Sequence, residues 1–361
     1  MSMSLHEYIV SDTNIYNAIY CLESYIFEKG LLSEDDLVCY ARLSDKYDFV
    51  YIGEVMEKCR NRLEEILSSS DVLFPIKVYF KMKIWDAEEK RVKYRPMHTA
   101  SLVDQICMVC MLLPLMFSDR NGHRERSELT KFIPHNFFGN IPSADVSMLF
   151  EPWKKKYREY NEQVIQHCKV YQENHRYSTE VTLDIKNFFP SISPEFIFNY
   201  VLEKLHFTFL KDEDQRTLKT VMMKLLFFDI ESENMEGWAD DYYGTKIDSK
   251  FYMNCGIPQG LPQSYFFGNL CMIEIYGKIK KLKTFKNEDS YFYVDDSVIY
   301  IEQPLDSKLF DDTITVINDA VKQIGQDKWC SNFDSLKDLL PEKYRSFQQC
   351  INYVIEFHPN G

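Results

Sequence analysis

Two adjacent acids, Asp295 and Asp296, lie in the middle of an aromatic and β-branched run, YFYVDDSVIY at residues 291–300. Flanks of this kind predict a β-hairpin that carries both carboxylates at its tip. An isolated acidic pair in a turn usually lies in solvent, but these flanks are apolar enough to be buried. Half-buried like charges require a counter-charge, and a metal ion is the natural one.

A third acid, Asp184, ends the strand-like run EVTLD and precedes a break at Pro190. Taken alone, an acid at a strand end is usually only a cap. Beside the hairpin tip it would complete a cluster of three carboxylates, and such hard oxygen ligands suit Mg²⁺. Two such ions can activate an attacking hydroxyl and stabilise the leaving oxygen of a phosphoryl transfer.

A third segment, GIPQG at residues 256–260, carries two glycines that let the backbone approach a ligand closely. Gln263 and Ser264 follow it and add hydrogen-bond donors. By itself this pattern is typical of an ordinary loop, so its meaning depends on the other two segments.

A lysine-rich segment, residues 77–95, alternates with the period of a β-strand. Val78, Phe80, Met82 and Ile84 form one apolar face, and the lysines form the other. The sequence predicts a two-stranded basic hairpin that turns near residues 86–90 and is ended by Pro96.

The rest of the chain is predicted to be mainly helical. Apolar spacing predicts helical structure through residues 5–32 with Gly30 as the stop, and a helix that Ser33 caps. It also predicts helices over residues 53–67, 101–116 and 153–171 and after Pro194. The acidic stretch 229–250 has no clear period and is predicted to be a surface loop.

Composition limits the class of protein. The chain has 361 residues, of which 45% are hydrophobic and 27% charged, and this is typical of a globular protein of two or three units. The net charge of −13 argues against a surface that binds nucleic acid everywhere, but it allows a local basic channel.

The ten cysteines are scattered, and Cys107 and Cys110 lie inside an apolar run. Buried reduced thiols are therefore favoured over a zinc site. The longest apolar run, residues 106–117, is shorter than the roughly 20 residues of a membrane span. No basic and apolar leader opens the sequence, so we expect a cytoplasmic protein without membrane contact.

Taken in order, LDIKNFFPSI, GIPQGLPQS and FYVDDSVIY resemble motifs A, B and C of reverse transcriptases. KYRPMHTASLVDQI is similar to the fingers motif of the bacterial and group II intron branch. The resemblance covers roughly residues 72–305. It implies an α+β right-hand polymerase fold, with fingers and an antiparallel palm sheet flanked by helices.

The resemblance also implies a division of the chain. Residues 1–70 would form an N-terminal helical extension, residues 71–180 the fingers and connecting helices, and residues 181–305 the palm. Residues 306–361 would form the end of the palm. The thumb would be absent, or replaced by a C-terminal helical domain beyond this chain. Only about 60 residues follow motif C, so we expect a truncated chain.

The roles of individual residues follow from the same resemblance. Asp184 and Asp295 would be the principal metal ligands, Asp296 an auxiliary carboxylate, and Ile185 a backbone ligand, for two Mg²⁺ ions with Mn²⁺ as a substitute. Phe189 would be the steric gate against a ribose 2′-hydroxyl, and either Phe188 or Phe189 would also be core. The remaining assignments are Arg95 for the incoming triphosphate, Lys81, Lys83 and Lys93 as its helpers, Gln259 and Gly260 at the nucleotide, and Tyr293, Pro262, Gln263 and Ser264 near primer or template.

The N-terminal helices and the stretch KYDFVYIGEVMEK resemble the abortive-infection (Abi) and related defence-associated reverse transcriptases. That subgroup implies antiphage defence by DNA synthesis from dNTPs. An RNA template, a non-coding RNA, no template or protein priming are all open. A partner defence protein and a homo-oligomer are further implied partners.

Three other functions stay open at the level of sequence. An RNA-dependent RNA polymerase usually has a polar residue where Phe189 stands. A catalytically silent scaffold that binds nucleic acid has no need of all three carboxylates. A metal phosphohydrolase lacks a His/Asp cluster here, since His98, His135, His167 and His175 are predicted to be scattered surface or core residues.

Overall fold

The computed structural model describes residues 3–88, 90–120, 123–174, 179–185, 187–244, 246–247, 250–281, 290–301, 307–325 and 339–342. These residues form an α+β structure, as predicted. Its helices are α1 Leu5–Ile9, α2 Asp12–Tyr20, α3 Glu34–Ser44, α4 Phe49–Ser68, α5 Leu102–Met116, α6 Trp153–Asn174, α7 Phe188–Ser191, α8 Pro194–Lys204, α9 Asp212–Leu226, α10 Glu236–Tyr243, α11 Pro262–Ile279 and α12 Ser307–Ile324. Its strands are β1 Phe74–Asp86, β2 Arg91–Thr99, β3 Phe117–Arg120, β4 His123–Arg126, β5 Thr179–Leu183, β6 Phe228–Ser232, β7 Tyr252–Met253, β8 Ser290–Tyr293 and β9 Asp296–Ile301.

The strands form three sheets, with the orders β2-β1-β6-β7, β3-β4 and β5-β9-β8. The third sheet is antiparallel and contains both acidic segments. Its strands alternate between two faces. Phe292 and Ile299 enter the main core, whereas Tyr291, Val298 and Tyr300 pack with Tyr160 of α6 in a second cluster. Helices therefore cover both faces of the sheet that carries the acids.

The N-terminal helices share the main core with the rest of the chain. α2 and α4 both pack on α5, which is buried along nearly its whole length. Cys107 and Cys110 lie inside α5 as free buried thiols, as predicted, and burial raises the pKa of both. No helix in the described ranges has the length and apolar character that crossing a bilayer requires.

The prediction of helical structure through residues 5–32 was wrong in its continuity. Ser11 caps a new helix, and α2 ends at Tyr20. Residues 22–24 and 29–31 form separate 3₁₀ turns, and Gly30 lies inside the second rather than at a helix end. Serine competes for backbone hydrogen bonds and so starts helices more readily than it continues them.

The basic hairpin was predicted correctly, but Pro96 does not end it. Pro96 pairs with Phe80, and β2 continues to Thr99. Proline is tolerated there because β2 is an edge strand, whose outer side needs no donor. β6 pairs with β1 only as far as Val78, so Met82 and Ile84 of the expected apolar face are exposed.

The prediction of a surface loop over residues 229–250 was wrong. The stretch contains most of β6 and all of α10. β6 runs parallel to β1 and buries Phe228 and Ile230, while Asp229 and Glu231 between and after them are half-buried. Two buried positions in so short a strand give too little periodicity for the sequence to reveal it.

Candidate active site

The tip of the β8–β9 hairpin carries the acidic pair, as predicted. Tyr293 pairs with Asp296, which leaves Val294 and Asp295 as the turn. β5 pairs with β9 up to Leu183 opposite Ser297. Asp184 directly follows that pair, so all three carboxylates reach the same end of the sheet.

Electrostatics show how close the acids are. The pKa of Asp295 is raised to about 6, mainly by burial and then by the charges of Asp296 and Asp184, while its own backbone N–H and Arg95 act in the opposite direction. The pKa of Asp296 is also raised, by burial and then by Asp184. The site thus concentrates negative charge that a cation would stabilise.

The donor set fits magnesium. Among the described residues, no group of three or more His, Cys, Asp and Glu side chains is arranged so that it could hold a metal ion by itself. Mg²⁺ usually takes one or two carboxylates and completes its shell with water and substrate phosphates, so it does not need a full set of protein ligands. Ile185, which follows Asp184, is buried, and its role as a backbone ligand stays a prediction.

The hairpin tip rests on a segment that the sequence did not single out. Phe138 N–H donates to Phe292 O at 2.9 Å, and Phe292 N–H donates to Asn136 O at 3.0 Å. A Cβ on Gly139 would lie 2.5 Å from Val294 N, so only glycine allows this approach. Val294 has φ 55°, an unusual conformation for a β-branched residue, and the packed glycine helps to impose it.

The GIPQG loop contacts both motif A, at Phe189, and strand β2, at His98. Gly256 has φ 58° and packs against the backbone of Phe189, while Ile257 N–H donates to Phe189 O at 3.0 Å. At its other end, Gly260 packs against the backbone of His98. Both glycines make the close backbone approaches that the sequence predicted, but toward protein rather than ligand.

His98 holds this loop in place. Its backbone N–H and its ring Nδ1 each donate to Gln259 O at 2.8 Å, and Tyr243 O–H donates to Nε2. Burial lowers the pKa of His98 to about 4, so the ring is neutral at neutral pH. The prediction of a core or surface histidine holds for His98 as core, while His175 lies outside the described residues.

The four predicted cations of the β1–β2 hairpin lie at different positions along it. Lys81 pairs with Arg95 across β1 and β2, and Arg95 acts electrostatically on Asp295. Lys93 lies nearer the hairpin turn, where it forms an ion pair with Asp86. Lys83 is exposed at the register shift between Met82 and Ile84. The structure thus brings Arg95, with Lys81 beside it, to the site.

The two phenylalanines of motif A are both buried. Their rings are 5.2 Å apart, and a Cβ on Gly268 of α11 would lie 3.1 Å from Phe188 and 3.3 Å from Phe189. Phe189 also contacts Tyr265 of α11, with ring centroids 5.5 Å apart. Tyr265 is a site residue that sequence reasoning missed, because an aromatic on an apolar helix gives no signal of its own.

The remaining predicted residues of motif B lie in the GIPQG loop and at the start of α11. Gln259 is half-buried in the loop, and Pro262, Gln263 and Ser264 are buried in the first turn of α11. Within the described part of the chain, the Gln263 amide and the Ser264 hydroxyl have no hydrogen-bond partner. Their roles toward primer or template stay predictions.

Tyr293 precedes the hairpin tip and lies in an aromatic cluster. Its ring centroid is 5.1 Å from Tyr157 and 5.8 Å from Tyr160, both on α6. Asp296 and Tyr160 are close enough that the carboxylate contributes to the raised pKa of the phenol, after burial. α6 therefore packs against one side of the acidic tip. Its amphipathic pattern alone did not predict this contact.

Comparison with known proteins agrees with this geometry. A family model described as reverse transcriptase (RNA-dependent DNA polymerase) matches residues 144–327. The match includes Asp184, the GIPQG loop and the Asp295–Asp296 tip. No curated protein matches the chain. The matched family consists of nucleotidyltransferases with a fingers and palm fold that bind dNTPs and nucleic acid. The chain belongs to the reverse transcriptase family and is an RNA-directed DNA polymerase.

Proposed function

We propose that Asp184, Asp295 and Asp296 are the catalytic carboxylates and that they hold two Mg²⁺ ions during DNA synthesis. The observation that carries this proposal is the convergence of Asp184 with the Asp295–Asp296 tip, where the charge of Asp184 raises the pKa of both Asp295 and Asp296. When bound, the ions supply activation of the attacking hydroxyl and stabilisation of the leaving oxygen. Mn²⁺ has the same ligand preference and is expected to substitute.

The reaction exchanges one phosphorus–oxygen bond for another. A 3′-hydroxyl, or a hydroxyl of a protein side chain, forms a bond to the α-phosphorus of a dNTP, and the bond to the β-phosphate breaks. The hydroxyl gives up its proton to water, and pyrophosphate leaves with the oxygen that bridged the α- and β-phosphorus atoms. Arg95, within electrostatic reach of Asp295, stabilises the charge of the triphosphate. Lys81 lies opposite it, and Lys83 and Lys93 assist from farther along the hairpin.

The sugar is selected at Phe189. This ring is held by α11 and by Tyr265, so it cannot move aside easily for a 2′-hydroxyl. Gln259 and Gly260 line the nucleotide and template side, and Tyr293 lies near the primer end. Phe189→Ala is expected to admit ribonucleotides. Sugar selectivity equal to that of the wild type would remove this assignment.

The direct experiment measures incorporation of labelled dNTPs with Mg²⁺ or Mn²⁺, on a primed RNA, on a primed DNA and without template. The wild type should incorporate dNTPs, Asp295→Asn should not, and Asp311→Asn is the matched control, since Asp311 is an exposed acid of α12. Preference for rNTPs would favour an RNA polymerase. Wild-type function that survives Asp295→Asn would favour a catalytically silent scaffold.

The biological role we propose is antiphage defence, on the resemblance of the N-terminal helices and residues 46–58 to the abortive-infection group. Tyr47, Phe49 and Val50 in this region are exposed apolar side chains, which supports contact with a partner protein or a second copy of the chain. A dedicated non-coding RNA is one of the templates compatible with this role. Plaque counts on cells with the wild type and with Asp295→Asn test it, and equal counts would exclude a defence role of DNA synthesis.

A further inference from the structure

An N-terminal segment, residues 24–28, reaches the nucleotide side of the palm. Ser24 Oγ accepts a hydrogen bond from Leu149 N–H at 2.7 Å. The Phe27 ring lies 6.3 Å from the Phe150 ring and 4.7 Å, edge to face, from the ring of Tyr265. The segment connects two short 3₁₀ turns and was predicted only as part of a packing helix.

Three rings form a row that ends at the steric gate. Phe27 contacts Tyr265, and Tyr265 contacts Phe189 edge to face with centroids 5.5 Å apart. Phe189 is 6% exposed, while Phe27 and Tyr265 are half-buried. Edge-to-face contacts hold aromatic rings in a defined orientation. The position of Phe189 therefore depends on Tyr265, and the position of Tyr265 depends on Phe27.

Charged groups place this row at the triphosphate side. Burial raises the pKa of Tyr265, and among nearby charges Glu28 raises it while Arg95 lowers it. Glu28 also forms an ion pair with Lys81, the strand neighbour of Arg95. Tyr265 thus contacts the gate and is within electrostatic reach of Arg95, which we assign to the incoming nucleotide.

We propose that Tyr265 and Phe27 are positioning residues for sugar selection, acting through Phe189. The inference rests on the proposed role of Phe189 as the steric gate. A gate that rejects a single hydroxyl must not yield by more than a fraction of an ångström, and interiors resist such movement only when each ring has a packed neighbour behind it. Tyr265 provides that neighbour for Phe189, and Phe27 provides it for Tyr265.

The test is the ratio of kcat/KM for dCTP to that for CTP in the full chain. Tyr265→Ala and Phe27→Ala should each lower this ratio about 10-fold or more, through a gain in CTP use. Tyr265→Phe keeps the ring and should retain the wild-type ratio. Phe209→Ala is the matched control, since this phenylalanine is 87% exposed, and it should leave the ratio unchanged.

Milder variants keep the test usable if the alanine variants do not fold. Phe27→Leu and Tyr265→Leu keep apolar volume without a flat ring, and each should lower the ratio by a smaller factor. Wild-type ratios in all folded variants of Phe27 and Tyr265 would overturn the inference, provided that Phe189→Ala relaxes selection. A wild type that uses no dNTP, or a Phe189→Ala variant with unchanged selectivity, would instead overturn the proposed function.

Discussion

Replacement of Asp295 by asparagine should stabilise the metal-free protein while it removes activity. In the unfolded chain this carboxyl ionises near 3.8, and in the folded protein its pKa is about 6. Between these values the folded state keeps a proton that the unfolded state has lost, so the free energy of unfolding falls as the pH rises to 6 and stays low above it. A shift of about two units at about 1.4 kcal/mol each amounts to at most about 3 kcal/mol.

Thermal unfolding in EDTA at pH 8 and at pH 4.5 measures this effect. Asp295→Asn should unfold at a temperature up to about 6 °C higher than the wild type at pH 8, because about 2 °C corresponds to each kcal/mol in a chain of this size. The difference should shrink toward zero at pH 4.5. Asp311→Asn should show neither effect. A variant that is less stable than the wild type at pH 8, or equally shifted at both pH values, would refute the reasoning.

Three further predictions concern contacts around the site. Gly139→Ala should lower kcat about 10-fold or more without unfolding the protein, because its Cβ would displace the hairpin tip; primer extension and circular dichroism measure the two effects. Glu28→Gln should lower KM for dNTPs about two- to fivefold, because the Lys81 ammonium is then no longer paired with a carboxylate and can attract the triphosphate. Steady-state kinetics measure this KM. Burial lowers the pKa of the folded His98 ring to about 4, so between about pH 6.5 and about pH 4 only the unfolded chain binds a proton there. The free energy of unfolding should therefore fall by about 1.4 kcal/mol for each unit by which the pH is lowered in this range. Urea unfolding of the wild type and of His98→Gln at pH 7 and pH 5 measures this dependence.

Each of these has its own control and contradicting result. Gly277→Ala introduces a Cβ with no neighbour within 4 Å, so activity should persist, and equal activity of the two alanine variants would contradict the Gly139 contact. A KM that rises in Glu28→Gln would show that the carboxylate helps to bind the nucleotide. The His98 account fails if His98→Gln shows the same dependence of stability on pH as the wild type.

The acidic hairpin was predictable because its signal is local. Tyr291, Val298 and Tyr300 alternate with residues of the main core, and this period of two is visible in the sequence. The convergence of Asp184 followed only from the resemblance to three ordered motifs. The pairing of β5 with β9 now gives it a geometric basis.

The supporting contacts were not predictable because they join distant segments. Gly139 and Val294, or Phe27 and Tyr265, share no spacing pattern, and each looks ordinary in its own stretch. The strand at Phe228 was hidden for a related reason, since its two acids made the stretch look like a loop. Tertiary packing decides such cases, and a local pattern does not report it.

The central claim is that acids from two separate strands hold the same divalent ions. Electron paramagnetic resonance of Mn²⁺, titrated into the protein with a non-hydrolysable dNTP analogue, tests this claim without any need for catalysis. We expect Asp184→Asn and Asp295→Asn each to lose most of the Mn²⁺ that the wild type binds, and Asp311→Asn to lose none. Wild-type Mn²⁺ binding in Asp184→Asn would contradict the account.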